Sequence, residues 1–195
     1  MIISNPSPSF RVLTYTDISS YLFTIVFVAC SVTVPWIFHQ YHLAGPTYLP
    51  MHYFVLLGGL IFGWRSGLII GALTPLISYG ISGMPALPVL PQIIIEVSTY
   101  GLVAGLLREK FQLRIFWSLL GAMVAGRLTL LSTISILSFF GTAHSPLGAE
   151  SGILAAFWST LNQGLPGIAV QLIVISVVTL VYDEIISRTK NTGAH

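Results

Sequence analysis

Leu49-Pro50-Met51-His52-Tyr53, followed by Val55 to Gly71, Thr74-Pro75, Gly83-Met84-Pro85 and Glu96, and closing at Arg108, is the stretch on which the reading of this chain turns. It has the apolar content of membrane helices, yet proline and glycine interrupt it three times where an ordinary spanning helix would run on. Polar side chains gather at the interruptions. The stretch therefore reads as one wall of a small-molecule pocket.

Composition sets the class around it. Of 195 residues, 54% are apolar and only 7% are charged, with a mean hydropathy of +0.87; soluble domains carry roughly 25% charged residues. The apolar runs are continuous and do not alternate with period two, so an all-α membrane bundle is expected over an outer-membrane barrel. The single Cys30 permits no intrachain disulfide. A net charge of +2 gives no reason to expect a nucleic-acid partner.

Working outward, Met1 to Thr16 is polar and lacks the pattern of a signal peptide, so residues 1–17 are expected to form a cytoplasmic tail. Six spanning helices are expected within 18–186. They run over about Ile18–Phe38, Met51–Phe62, Gly67–Tyr79, Pro91–Leu107, Ile115–Phe140 and Pro166–Ile186, with a polar cytoplasmic tail over 187–195. The third long connection, Gly141 to Gln163, contains an amphipathic piece over Ile153–Leu161.

Charge orients the bundle. Arg11, Arg65, Arg108, Lys110, Arg114, Arg188 and Lys190 all fall on the side of the termini, whereas the three opposite connections contain neither Lys nor Arg. The positive-inside rule makes the terminal side cytoplasmic. The outer side then carries the aromatic, His- and Pro-rich connections.

The remaining basic residue is Arg127, about 12 residues into the fifth helix and roughly 18 Å from its cytoplasmic end. An arginine at that depth costs at least about 2.5 kcal/mol to insert, so it must face a cavity, a partner or the protein interior. Glu96 is the acid expected inside a span, roughly 8 Å from the outer end of the fourth helix. Either the two pair, or hydrogen-bond to broken backbone, to hold the bundle together, or one or both meet a polar ligand entering from outside; their expected depths differ by about 10 Å, which weakens a direct pair unless the helices are offset. His52, Asn162, Gln163 and Gln171 lie toward the same side, and with the aromatic residues Tyr48, Tyr79, Tyr100 and Trp158 they have the makeup of a small-molecule site. Singly, each polar group can also satisfy backbone freed at a proline.

Small residues recur at spacing four in Gly59, Gly63, Gly67 and Gly71, in Gly101 and Gly105, and in Gly121 and Ala125. Such spacing lets helices pack closely within the bundle. Ala29 and Thr33, with Ser31 beside them, form a similar face on the first helix that suits another membrane subunit. Catalytic patterns are thin: there is no HExxH, Walker loop or CxxC, and Asp183-Glu184 reads as solvated. His39, His42, His52 and His144 follow no metal-ligand spacing. No cofactor is expected in the chain, and active transport would need an ATPase supplied by another protein.

Leu49-Pro50-Met51-His52, Val55-Leu56-Leu57-Gly58-Gly59 with Gly63, Gly67 and Gly71, Thr74-Pro75-Leu76, Gly83-Met84-Pro85, Glu96 with Tyr100-Gly101-Leu102-Val103-Ala104-Gly105, and Gly164-Leu165-Pro166-Gly167 with Gln171 together resemble the substrate-binding S components of energy-coupling factor (ECF) transporters. The resemblance covers about Ile18 to Ile186. It implies a six-helix protein of a prokaryotic plasma membrane that captures a vitamin or related micronutrient from outside. Such a subunit docks on a transmembrane coupling protein and two cytoplasmic ATPases, which use the ATP. It places the pocket in the outer parts of helices 4 to 6, and one group of members docks through an AxxxA face on helix 1, where this chain has Ala29 and Thr33. The cobalt and nickel members begin Met-His, whereas this chain begins Met1-Ile2. The alternative from the residues alone is a self-sufficient carrier or channel, or an intramembrane enzyme using Glu96, His52 and Arg127.

Overall fold

The structure is a computed structural model that describes residues 18–41, 50–139 and 153–192. Among these residues it is all helical, with α1 over Ile18–Gln40, α2 over Pro50–Phe62, α3 over Trp64–Ser82, α4 over Leu90–Glu109, α5 over Ile115–Phe139 and α6 over Ile153–Thr192. Among the described residues, four segments are long and apolar enough to cross a membrane: Ile18–Phe38, Leu90–Glu109, Ile115–Leu137 and Gly164–Ile185. The apolar α2 has 13 residues, roughly 20 Å of helix, which is short of a hydrocarbon core of about 30 Å.

α4 is the centre of the bundle and packs against α2, α3 and α5; α1 lies on α2 and α3, and α6 on α5 and α2. Glycine makes the central contact possible. A methyl group added at Gly101 would land on the backbone of Gly67, one at Gly59 on the Gly101 carbonyl, and one at Gly105 on the backbone of Trp64. The four-residue stripe therefore brings α2 and α3 backbone-to-backbone with α4, as the small-residue spacing predicts. Around this seam Val55, Leu56, Leu60, Ile70, Val97, Ala104, Leu119, Ala122 and Ile175 form the apolar core. On α1, Thr24 Oγ1 donates to Ser66 Oγ at 3.2 Å and Ser31 shares a hydrogen bond with Thr74, so hydroxyl pairs tie α1 to α3.

Element ends follow local chemistry. Gly63 separates α2 from α3 with φ 86°, and the Trp64 amide opening α3 donates to Glu109 Oε2 at 3.3 Å, an anion at a helix N-terminus. α3 stops where Gly83 takes a left-handed conformation, φ 69°, and returns its N–H to the Tyr79 carbonyl at 2.8 Å. It is thus longer at both ends than the Gly67–Tyr79 expected. Pro91 stands in the first turn of α4, where its missing N–H costs nothing.

The largest departure is α6. The sequence reading ends a connection at Gln163 and starts a new helix at Pro166, whereas the structure has one helix of 40 residues with Pro166 inside it, reaching Thr192 through residues expected as tail. Proline removes one intrahelical bond and kinks a helix without necessarily ending it.

Candidate functional site

Every fourth residue of α4 from Gln92 onward, namely Gln92, Glu96, Tyr100, Ala104 and Arg108, is buried. This spacing stacks the side chains in one row along a helix. A polar row at the centre of an apolar bundle must find partners, and the neighbouring helices supply them at Glu96.

Glu96 is 5% exposed and Arg127 8% exposed. Arg127 Nη1 lies 3.0 Å from Glu96 Oε1, and the Tyr100 hydroxyl donates to the same oxygen at 2.9 Å. The pairing corrects the expected 10 Å offset. That offset compares a depth from the outer surface with one from the inner surface; from the shared α4–α5 turn, Glu96 is about 13 residues up α4 and Arg127 about 12 up α5, or roughly 20 and 18 Å. The two stand level.

Tyr100 is held by its surroundings. A methyl at Gly126 would strike its ring, so the glycine beside Arg127 lets the tyrosine lie against α5. From α2, buried His52 meets Tyr100 edge to face with ring centroids 5.0 Å apart. Side chains of α2, α4 and α5 thus converge on one point, and the sequence-predicted residues His52, Glu96, Tyr100 and Arg127 come together there.

The ion pair is incomplete. Among the described residues, Arg127 Nε and Nη2 are buried and have no hydrogen-bond partner, and both contacts of Glu96 fall on Oε1. Nε and Nη2 form one edge of the planar guanidinium, the edge that holds two acceptor atoms in parallel. Leaving buried donors unmade costs about 1–3 kcal/mol each, more at a charged group.

The other expected site residues stand on α6 and α1 or lie outside the described residues. Gln171 is buried on α6, at 2% exposure. Asn162 and Trp158 are exposed on the same helix, as are Ala29 and Thr33 on α1. Gln163 lies within α6, while its side chain, together with Tyr48, His42 and His144, lies outside the described residues. Gln92, fully buried one turn from Glu96, escaped the sequence reading; its four-residue spacing from Glu96 was the available signal. Asp183, read as solvated, forms an ion pair with buried Arg108 across α4 and α6. A separate groove of about 590 Å³ between α1, α2 and α6 is lined by Val34, Phe38, Pro50, Tyr53, Phe54, Leu57 and Val174, side chains that suit hydrocarbon.

Comparison with protein-family models matches residues 15–179 to the family described as ECF transporter, substrate-specific component. Comparison with curated proteins and with solved structures gives no match.

Proposed function

This chain belongs to the substrate-specific component family of ECF transporters, and from that premise we propose that it is the capture subunit of an ATP-driven importer, taking a vitamin or related micronutrient from outside the cell. It is a multi-pass membrane protein of a family of transporter components and not of enzymes. In this reading it spans a prokaryotic plasma membrane six times with both termini in the cytoplasm, which the distribution of Lys and Arg supports. It hands its cargo to a transmembrane coupling subunit worked by two ATPases, with exposed Ala29 and Thr33 on α1 as the docking face.

The open Nε–Nη2 edge of Arg127, buried beside Glu96, carries the assignment of the site. Glu96, Arg127, Tyr100 and His52 form the floor of the pocket, with Gln92 one turn along α4 and Gln171 contributed by α6. Asn162 and Trp158, exposed on α6, are the candidates for its rim. Capture needs binding and no bond breaking, so a neutral ion pair with spare donors serves it.

The test is uptake. Cells producing the chain together with a coupling subunit and two ATPases accumulate the small molecule that copurifies with the chain, and cells producing the chain alone do not. Flux through vesicles holding the chain alone, or turnover of a lipid by it, contradicts this reading.

A further inference from the structure

The ion pair at the floor of the pocket restricts the chemistry of the cargo. Arg127 offers two parallel donors from Nε and Nη2, which have no partner among the described residues. Glu96 spends Oε1 on both Arg127 and Tyr100, and Oε2 takes no hydrogen bond from the described residues. An occupant that satisfies both groups presents an acceptor to the guanidinium and, beside it, a donor to the carboxylate.

Charge narrows the class further. Glu96 and Arg127 already cancel, and both are buried. A carboxylate or phosphate would accept from Arg127, yet it would bring a second negative charge next to Glu96 in a poorly screened site and give Oε2 nothing to accept. A zwitterion would match both groups but would have to strip the hydration from two more charges. A neutral amide or lactam edge, C=O beside N–H, satisfies both at no net charge. The edge-to-face rings of Tyr100 and His52 stand against this floor, and a flat ring packs against such neighbours.

We infer that the cargo is an uncharged flat heterocycle whose amide-type edge, acceptor beside donor, docks on the open edge of Arg127 and on Glu96 Oε2. The inference rests on the capture site proposed above and deepens it by naming the ligand class.

Nicotinamide and nicotinate are suitable probes, since they share one ring and differ in an NH2 against an O−. Their binding to the full chain in lipid nanodiscs is measured by saturation-transfer NMR and competition. Nicotinamide is expected to bind roughly tenfold or more tightly, the worth of one hydrogen bond to a charged group. Glu96→Gln, which leaves the Arg127 charge uncompensated, inverts the preference, and Arg127→Lys, which keeps the charge but removes the parallel donors, weakens nicotinamide roughly tenfold. Thermal unfolding of each variant identifies those that fail to fold. Tighter binding of nicotinate to the unaltered chain, with both variants still changing affinity, overturns the ligand class and leaves the capture site standing. Binding of either probe that neither substitution alters overturns both. Failure of both probes to bind overturns the ligand class, and the uptake assay then decides the capture role independently.

Discussion

Arg127 and Glu96 meet at 3.0 Å through Nη1 and Oε1, each about twelve residues from the turn that joins their helices. The level placement makes a hairpin of α4 and α5 with an ion pair at its middle. One nitrogen of Arg127 is used in the pair, and Nε and Nη2 have no partner among the described residues, the feature on which the proposed capture site rests.

Gly101→Ala places a methyl on the Gly67 backbone, and neither chain segment can rotate away as a side chain does. A loss of about 1–3 kcal/mol or more is expected in thermal unfolding. Gly80, in α3 with open space where its Cβ would be, is the contrast: Gly80→Ala should be neutral or slightly stabilising, by up to about 1 kcal/mol.

Gly126→Ala pushes into the Tyr100 ring. Since Tyr100 orients Glu96 through its hydroxyl, ligand affinity should fall although residue 126 carries no polar group. Tyr100→Phe keeps the ring and removes only the hydrogen bond to the Glu96 carboxylate, so its cost to folding should be about 1.5–3 kcal/mol. Denaturation and ligand titration on the two variants separate ring placement from the hydroxyl.

Asp183→Asn withdraws the carboxylate from buried Arg108. Asp183 is about a third exposed, so the expected loss is roughly 1–3 kcal/mol, below the 3–5 typical of breaking a fully buried pair. Thermal unfolding checks this, and the doubly substituted Arg108→Met, Asp183→Leu chain should recover much of the loss.

Much of this architecture is legible from residue order, and the exceptions have physical causes. Continuous apolar runs and the glycine–arginine turn at Gly63 to Arg65 place five helices within a few residues, because membrane-type sequences satisfy their backbones locally. The Gly59 to Gly71 stripe likewise identifies the close contact, its partner being the matching Gly101 and Gly105 on α4. The Glu96–Arg127 pair was hidden by the choice of reference: two depths counted from opposite surfaces inherit every error in helix length, whereas the α4–α5 turn is common to both. Pro166 read as a boundary because proline weakens a helix, yet α6 continues through it. Gln92 stands in the first turn of α4, and only packing shows that it is fully buried. Asp183 failed for a similar reason, since its partner Arg108 is 75 residues away along the chain.

The most direct measurement is native mass spectrometry of the unaltered chain and of Arg127→Ala, each purified alone in lipid nanodiscs. The account predicts a small molecule bound to the unaltered chain and an affinity lower by at least about 2 kcal/mol, roughly thirtyfold, in the variant, as a charged group's hydrogen bonds are lost. Equal retention of the same molecule by both chains, with only thermal stability reduced in the variant, would contradict it and leave Arg127 a structural partner of Glu96 alone.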